Sequence, residues 1–205
     1  MPPKQLKTLK MKRSGLLILV GILVVLGFWG CNGYNGLVTA DQDVKKVWAN
    51  VETNYQRRTD LYSSIIKTIE GSANFEKSTL REVIEARSKA TSINVDINDP
   101  ASLEAYQKAQ AGLQSSFSKL LAVVENYPDL KTTQAFRDFQ TQIEGTENRI
   151  NIARQDYNKS IEGYNLKVKR FPKNILAGLF GFKEKPFYKA DAGSEKNPDI
   201  KFDIK

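Results

Sequence analysis

From Val44 onward the apolar residues return at steps of four and three. Val44, Trp48, Val51, Tyr55, Tyr62, Ile65 and Ile69 fall on one stripe, with Arg58 set into it. That period is the signature of an amphipathic helix. It predicts a first long helix over about Leu37–Glu70, with Asp41 and Asp43 at its positive end and Gly71 as its stop. A second helix is expected over about Asn74–Ala90, with Phe75, Leu80, Val83 and Ile84 inward. After the connector TSINVDINDP, Asp99 suits an N-cap and Pro100 a first turn. The third helix, to about Glu125, carries Leu103, Tyr106, Gln110, Leu113, Phe117, Leu120 and Val124 on its seam. ENYPDL reads as a tight reversal. The fourth helix is the longest, about Leu130–Phe171. Its stripe begins at Phe136 and Phe139 and passes through Ile143, Glu147, Ile150, Arg154, Tyr157, Ile161, Tyr164, Val168 and Phe171 before Pro172 ends it. Four such segments with short connections predict an all-α fold: an antiparallel up-down four-helix bundle whose first and last helices are long.

Ahead of the bundle the pattern changes. Residues 15–31, GLLILVGILVVLGFWGC, are 17 in a row without a charge. They make roughly 25 Å of helix, enough to span a bilayer core. The anchoring side chains are Leu16, Leu17, Ile18, Leu19, Val20, Ile22, Leu23, Val24, Val25, Leu26, Phe28 and Trp29. Trp29 and Tyr34 stand where an interfacial aromatic belt would be. The basic leader 1–14 holds Lys4, Lys7, Lys10, Lys12 and Arg13 and no acid. By the positive-inside rule this end stays in the cytoplasm and the bundle lies on the outer side of a bacterial inner membrane. Two alternatives stand beside the uncleaved anchor: a lipoprotein attached at Cys31, and a cleaved secretory signal. Bulky Phe28 and Trp29 before Cys31 argue against processing there. NGYNG at 32–36 is expected to break the helix between anchor and bundle.

The bundle is expected to occupy 35–172. An even number of helices returns the chain to the membrane, where 173–188 carries Ile175, Leu176, Leu179, Phe180 and Phe182 between Lys173 and Lys183/Lys185. Two outcomes are open for it: lying at the bilayer surface, or folding back to cap the bundle. The polar stretch 189–205 reads as a disordered tail.

Composition narrows the chemistry. The chain has no histidine and one cysteine among 205 residues. That excludes imidazole bases, Ser-His-Asp and Cys-His arrangements, an intrachain disulfide and a thiolate zinc site. The net charge of +8 falls to +3 once the five basic leader residues are set aside. The remainder has both signs interspersed, so no nucleic-acid surface is expected. Carboxylate pairs such as Glu82/Glu85 and Glu144/Glu147 read as solvated faces, because di-iron bundles rely on Glu-x-x-His pairs.

What stands out is charge on the buried stripes. Arg58, Glu147 and Arg154 face a core, with Arg57 and Asp60 nearby, and each costs several kcal/mol if buried unpaired. Helices one and four are the expected antiparallel partners. Arg58 is therefore matched to Glu147, and Arg154 to Asp60 or to a hydroxyl from Tyr55, Tyr62, Tyr157 or Tyr164. Such contacts more often fix helix register than perform chemistry.

The stretches YNGLVTADQDVKKVWANVETNYQRRTDL, 34–61, and TENRINIARQDYNKSIEGYNLKVKRFPKNILAGLFGF, 146–182, resemble the two signatures of the LemA family. The resemblance runs from about 16 to 188. It implies a membrane-anchored antiparallel bundle of bacterial origin and brings no activity, cofactor, metal or defined ligand. Matched residue by residue, its recurrent positions include Tyr34, Trp48, Arg57, Arg58, Asp60, Glu147, Arg154, Tyr157, Asn158, Asn165 and Pro172. The functional expectation is a non-enzymatic scaffold or adaptor at the lipid bilayer, with an unidentified protein partner or a second copy of itself. The alternative is a sensor binding a small anion through Arg58 and Arg154.

Overall fold

A computed structural model describes residues 13–71 and 76–190. Residues 1–12 of the basic leader, Asn74 and Phe75, and the tail after Ala190 lie outside the described residues. The elements are α1 (Arg13–Glu70), α2 (Lys77–Ser92), α3 (Pro100–Val124), α4 (Pro128–Lys131), α5 (Gln134–Lys169) and α6 (Lys173–Phe180). All regular structure among the described residues is helical.

The anchor and the first bundle helix form one unbroken helix of 58 residues, about 87 Å at 1.5 Å per residue. NGYNG therefore does not break the chain. Each glycine in a helix costs about 1 kcal/mol against alanine, and here tertiary packing outweighs that. A Cβ on Gly33 would stand 2.5 Å from Leu176 Cδ1, and one on Gly36 3.6 Å from Lys173 Nζ. The glycines are the seat on which α6 lies. Because α1 starts so far upstream, Asp41 and Asp43 sit in mid-helix and not at its positive end.

Further along, Asp99 caps α3, its carboxylate accepting from the amides of Ala101 and Ser102. The expected fourth helix is divided. A single turn, α4, precedes Thr133, whose hydroxyl accepts from Phe136 N and caps α5. α5 stops at Lys169, so Phe171 leaves the stripe and is 80% exposed; Pro172 disfavours helix at the residue before it. Ile84 also faces outward. α2 packs chiefly on α3, and that narrow contact covers Leu80 and Val83 while Ile84 lies at its edge.

The stripes read from spacing otherwise meet in the middle. Residue numbers on α1 rise as those on α5 fall: Tyr55 meets Arg154, Arg58 meets Glu147, and Tyr62 meets Phe139. These two helices are antiparallel. α3 runs parallel to α1, with Tyr106 against Trp48 and Phe117 stacked on Tyr62 at 3.7 Å. The core has two apolar parts. One gathers Leu37, Trp48, Tyr106, Tyr157 and Leu176 toward the anchor. The other gathers Tyr62, Ile69, Phe117, Leu120 and Phe139 at the far end. Arg58 lies at the boundary.

Candidate functional site

Arg58 is 0% exposed. Its Nη2 donates to Gln110 Oε1 at 2.7 Å and to the Gln110 carbonyl at 3.2 Å. Its Nη1 reaches Glu147 Oε1 at 3.4 Å. The guanidinium carbon lies 4.7 Å from the Tyr55 ring centroid and 5.9 Å from that of Tyr62. Aromatic faces on either side of a desolvated cation supply further attraction. Its Nε has no partner among the described residues. Three helices thus converge on one guanidinium.

One turn nearer the anchor, Arg154 donates from Nε and Nη2 to the Tyr55 hydroxyl, at 2.8 and 2.5 Å. That hydroxyl also shares a hydrogen bond of 2.6 Å with Tyr188 Oη. Tyr188 belongs to the return segment, which crosses back along α5. Two asparagines hold it there. Asn165 donates to the Lys185 carbonyl and accepts from the Lys185 amide, at 3.0 and 2.9 Å. Asn158 does the same for Tyr188, at 2.9 and 2.8 Å. Seven residues are two turns of helix, so both amides fall on one line facing the segment, and each satisfies a backbone pair that secondary structure leaves unbonded.

The segment carries a buried cation of its own. Lys185 is 4% exposed. Its Nζ meets Asp41 Oδ1 at 2.9 Å, bonds Asn98 Oδ1, and lies 5.1 Å from the Tyr164 ring centroid. Burial acts to raise the Asp41 pKa, but bonds from Lys45 and Lys185 outweigh it and hold the carboxyl below its ordinary value. Lys185 thus ties the return segment to α1 and to the α2–α3 connector.

Four buried tyrosines, Tyr62, Tyr106, Tyr157 and Tyr164, remain neutral. Burial pushes Tyr62 up to about 12, with Arg58 opposing, and burial together with Asp41 pushes Tyr164 to about 12. Burial raises Tyr106 and Tyr157 as well. None supplies a phenolate near neutral pH. The described residues include no group of three metal-ligating side chains. Open grooves lie elsewhere: one of ≈ 580 Å³ between α1 and α5, lined by Asn50, Asn54, Arg149 and Asp156, and one of ≈ 620 Å³ between α2 and α3. Neither is lined by Arg58, Glu147 or Arg154.

Of the residues singled out from spacing, Arg58 and Glu147 are brought together, and Arg154 takes a tyrosine hydroxyl. Tyr157 is fully buried against Trp48, ring centroids 5.0 Å apart, its hydroxyl without a partner among the described residues. Asp60 is not part of this layer. It lies on the exposed face of α1 and accepts from Gln56 Nε2 at 3.0 Å. Sequence reasoning placed Gln110 on a seam without seeing it as the main partner of Arg58. It assigned Asp41 only to a helix dipole, Asn158 and Asn165 only to the family signature and Lys185 only to the flank of the return segment, and it missed Tyr188. The two asparagines had a signal, seven residues apart on the stripe side of α5. Nothing local marked Lys185.

The class defined by this fold and site is an all-α bundle continuous with one apolar N-terminal helix, the described helix long and apolar enough to cross a membrane. Within that class the chain belongs to the LemA family, which residues 47–202 match. The match begins inside the first of the two signature stretches and takes in the whole of the second. Magnetosome protein MamQ 2 of Paramagnetospirillum magneticum is 26% identical over 193 residues, covering 84% of this chain and 71% of that protein. Magnetosome protein MamQ of Magnetospirillum gryphiswaldense is 25% identical over 174 residues, covering 76% of this chain and 64% of its own length. Protein LemA of Metamycoplasma hominis is 28% identical over 143 residues, covering 70% of this chain and 63% of that protein.

Proposed function

We propose that this protein is a non-enzymatic scaffold, anchored by the apolar N-terminal part of α1, that presents a rigid bundle to a protein partner on the outer side of a bacterial inner membrane. One observation carries the reading: Arg58 is wholly enclosed, and its bonds go to Gln110 and Glu147 of the same bundle. A guanidinium committed in this way aligns α1, α3 and α5 and offers no face to a solute. The relatives' names, a magnetosome protein and LemA, describe no enzymatic activity, which supports the same view. The basic leader supports a cytoplasmic N-terminus. Trp29, ahead of Cys31, packs against the anchor-side core, which favours an anchor that stays attached over cleavage at Cys31.

The test is a thermal-shift screen of small anions and metabolites on the full chain in detergent. A scaffold gives no saturable shift. A saturable shift abolished by Arg154→Ala overturns this reading in favour of a sensor. Cross-linking in cells, followed by identification of co-purified proteins, then names the partner. A membrane-impermeant maleimide reagent on Ser118→Cys in a Cys31→Ser background, applied to spheroplasts, reports the side: labelling without lysis is expected.

A further inference from the structure

α6 has two unlike faces. Leu176 and Ala177 are buried on α1 and α5. On the other side Ile175 and Leu179, four residues apart, are 59% and 75% exposed, with Phe180 53% exposed beside them, and Phe171, just ahead of the helix, is 80% exposed. This stripe is placed by α1 itself. Leu176 rests on Gly33, and Tyr34 meets the Phe180 and Phe182 rings at 4.8 and 5.9 Å. Gly33 follows Cys31, the last residue of the apolar run 15–31, by two positions, about 3 Å along the axis. From Leu16 to Phe28 the large apolar side chains of that run are 49–75% exposed, and Trp29 packs on the same core cluster as Leu176. The exposed face of α6 is therefore level with the end of a lipid-facing band and continuous with it. Arg170, Lys173 and Lys183 flank it along the chain, and Glu184, which follows Lys183, is paired with Lys169 at 2.8 Å.

We propose that α6 is a membrane foot: its outer stripe lies in the bilayer surface beside the emerging α1, and the basic residues around it meet anionic lipid headgroups. An apolar helical face rimmed by cations at this depth has the chemistry of an interfacial helix. Gly181, at φ 75°, ends α6 in the left-handed conformation and turns the chain away. From there the return segment runs back to its asparagine clamps. The bundle is thus fixed to the membrane at two points, the anchor and the foot, and cannot pivot freely on α1.

The inference rests on α1 crossing the membrane, and the experiment separates the two. In a Cys31→Ser background, single bimane labels are placed at Leu179→Cys, Ile22→Cys and Ser118→Cys of the full chain. The protein is reconstituted in vesicles of phosphatidylcholine and phosphatidylglycerol containing acyl-chain nitroxide lipid. Labels at 22 and 179 should lose most of their emission, and the label at 118 should keep it. Omitting phosphatidylglycerol should weaken quenching at 179 and leave 22 unchanged. If 179 behaves like 118 while 22 is quenched, the foot is refuted and the anchor stands. That outcome includes a second copy covering the stripe. If 22 is not quenched, the anchor fails and the foot with it.

Discussion

Glu147→Gln isolates the charge in the buried layer while keeping its shape. Glutamine retains an oxygen where Arg58 Nη1 now finds Glu147 Oε1 at 3.4 Å, so what changes is the counter-ion. Two unit charges at about this separation attract by roughly 4–5 kcal/mol at an effective dielectric of about 20. Removing one member of a fully buried pair costs about 3–5 kcal/mol. The Glu147 side chain is 30% exposed, which screens the pair, and the Gln110 bonds to Arg58 survive. The expected loss is therefore about 2 kcal/mol, well below the full burial figure. For a protein of this size 1 kcal/mol moves the midpoint by about 2–4 °C, so the midpoint should fall by about 4–8 °C. Far-ultraviolet circular dichroism of the full chain in detergent, with parent and mutant side by side, measures it. A mutant within about 0.5 kcal/mol of the parent would be behaving as a surface substitution and would refute the idea that Glu147 balances Arg58.

Three further outcomes follow from neighbouring groups. Tyr157→Phe removes a buried hydroxyl that has no partner among the described residues; the midpoint should hold or rise, and a fall of more than about 1 kcal/mol would reveal a missed hydrogen bond. Asn165→Ala leaves the Lys185 amide and carbonyl unbonded; it should cost about 1–3 kcal/mol and expose the segment after Gly181 to limited proteolysis, and an unchanged cleavage pattern counts against the clamp. Asp41 has its folded pKa below the ordinary value of 3.8. Its contribution is complete above that value and is lost as pH falls through the lower one. The protection factor of the Lys185 amide against hydrogen exchange, the intrinsic rate at each pH over the observed rate, should fall below about pH 4, and Asp41→Asn should lower it already at neutral pH; a protection factor in the parent that does not change with pH would sink the linkage.

Spacing alone made much of this legible. The whole stripe from Val44 to Ile69 is buried, Arg58 included, and so are the seven seam residues of α3. Local signals succeeded where one side chain settles the matter, as at Asp99. They failed where a distant segment decides. NGYNG looks like a turn because glycine and asparagine weaken helices taken alone, yet α6 packs on those glycines and the helix continues. Asp60 sits two residues from Arg58 on the charged seam but points to water, because residues i and i+2 on a helix do not share a face. Phe171 continues the heptad on paper, but the helix has ended.

By itself, then, the sequence determined the helical class, the apolar run, the buried stripes and the presence of charge within them, since each depends on side-chain period and on groups a few residues apart. Only the tertiary structure decided which groups answer those charges. Arg58 turned chiefly to Gln110, 52 residues away, Arg154 to Tyr55, and Lys185 to Asp41 and Asn98. The physical reason is that a buried charge must be satisfied by whatever donor or acceptor the folded chain brings within about 3 Å. That proximity belongs to the packing of helices and a returning segment far apart in sequence, and no local pattern encodes it.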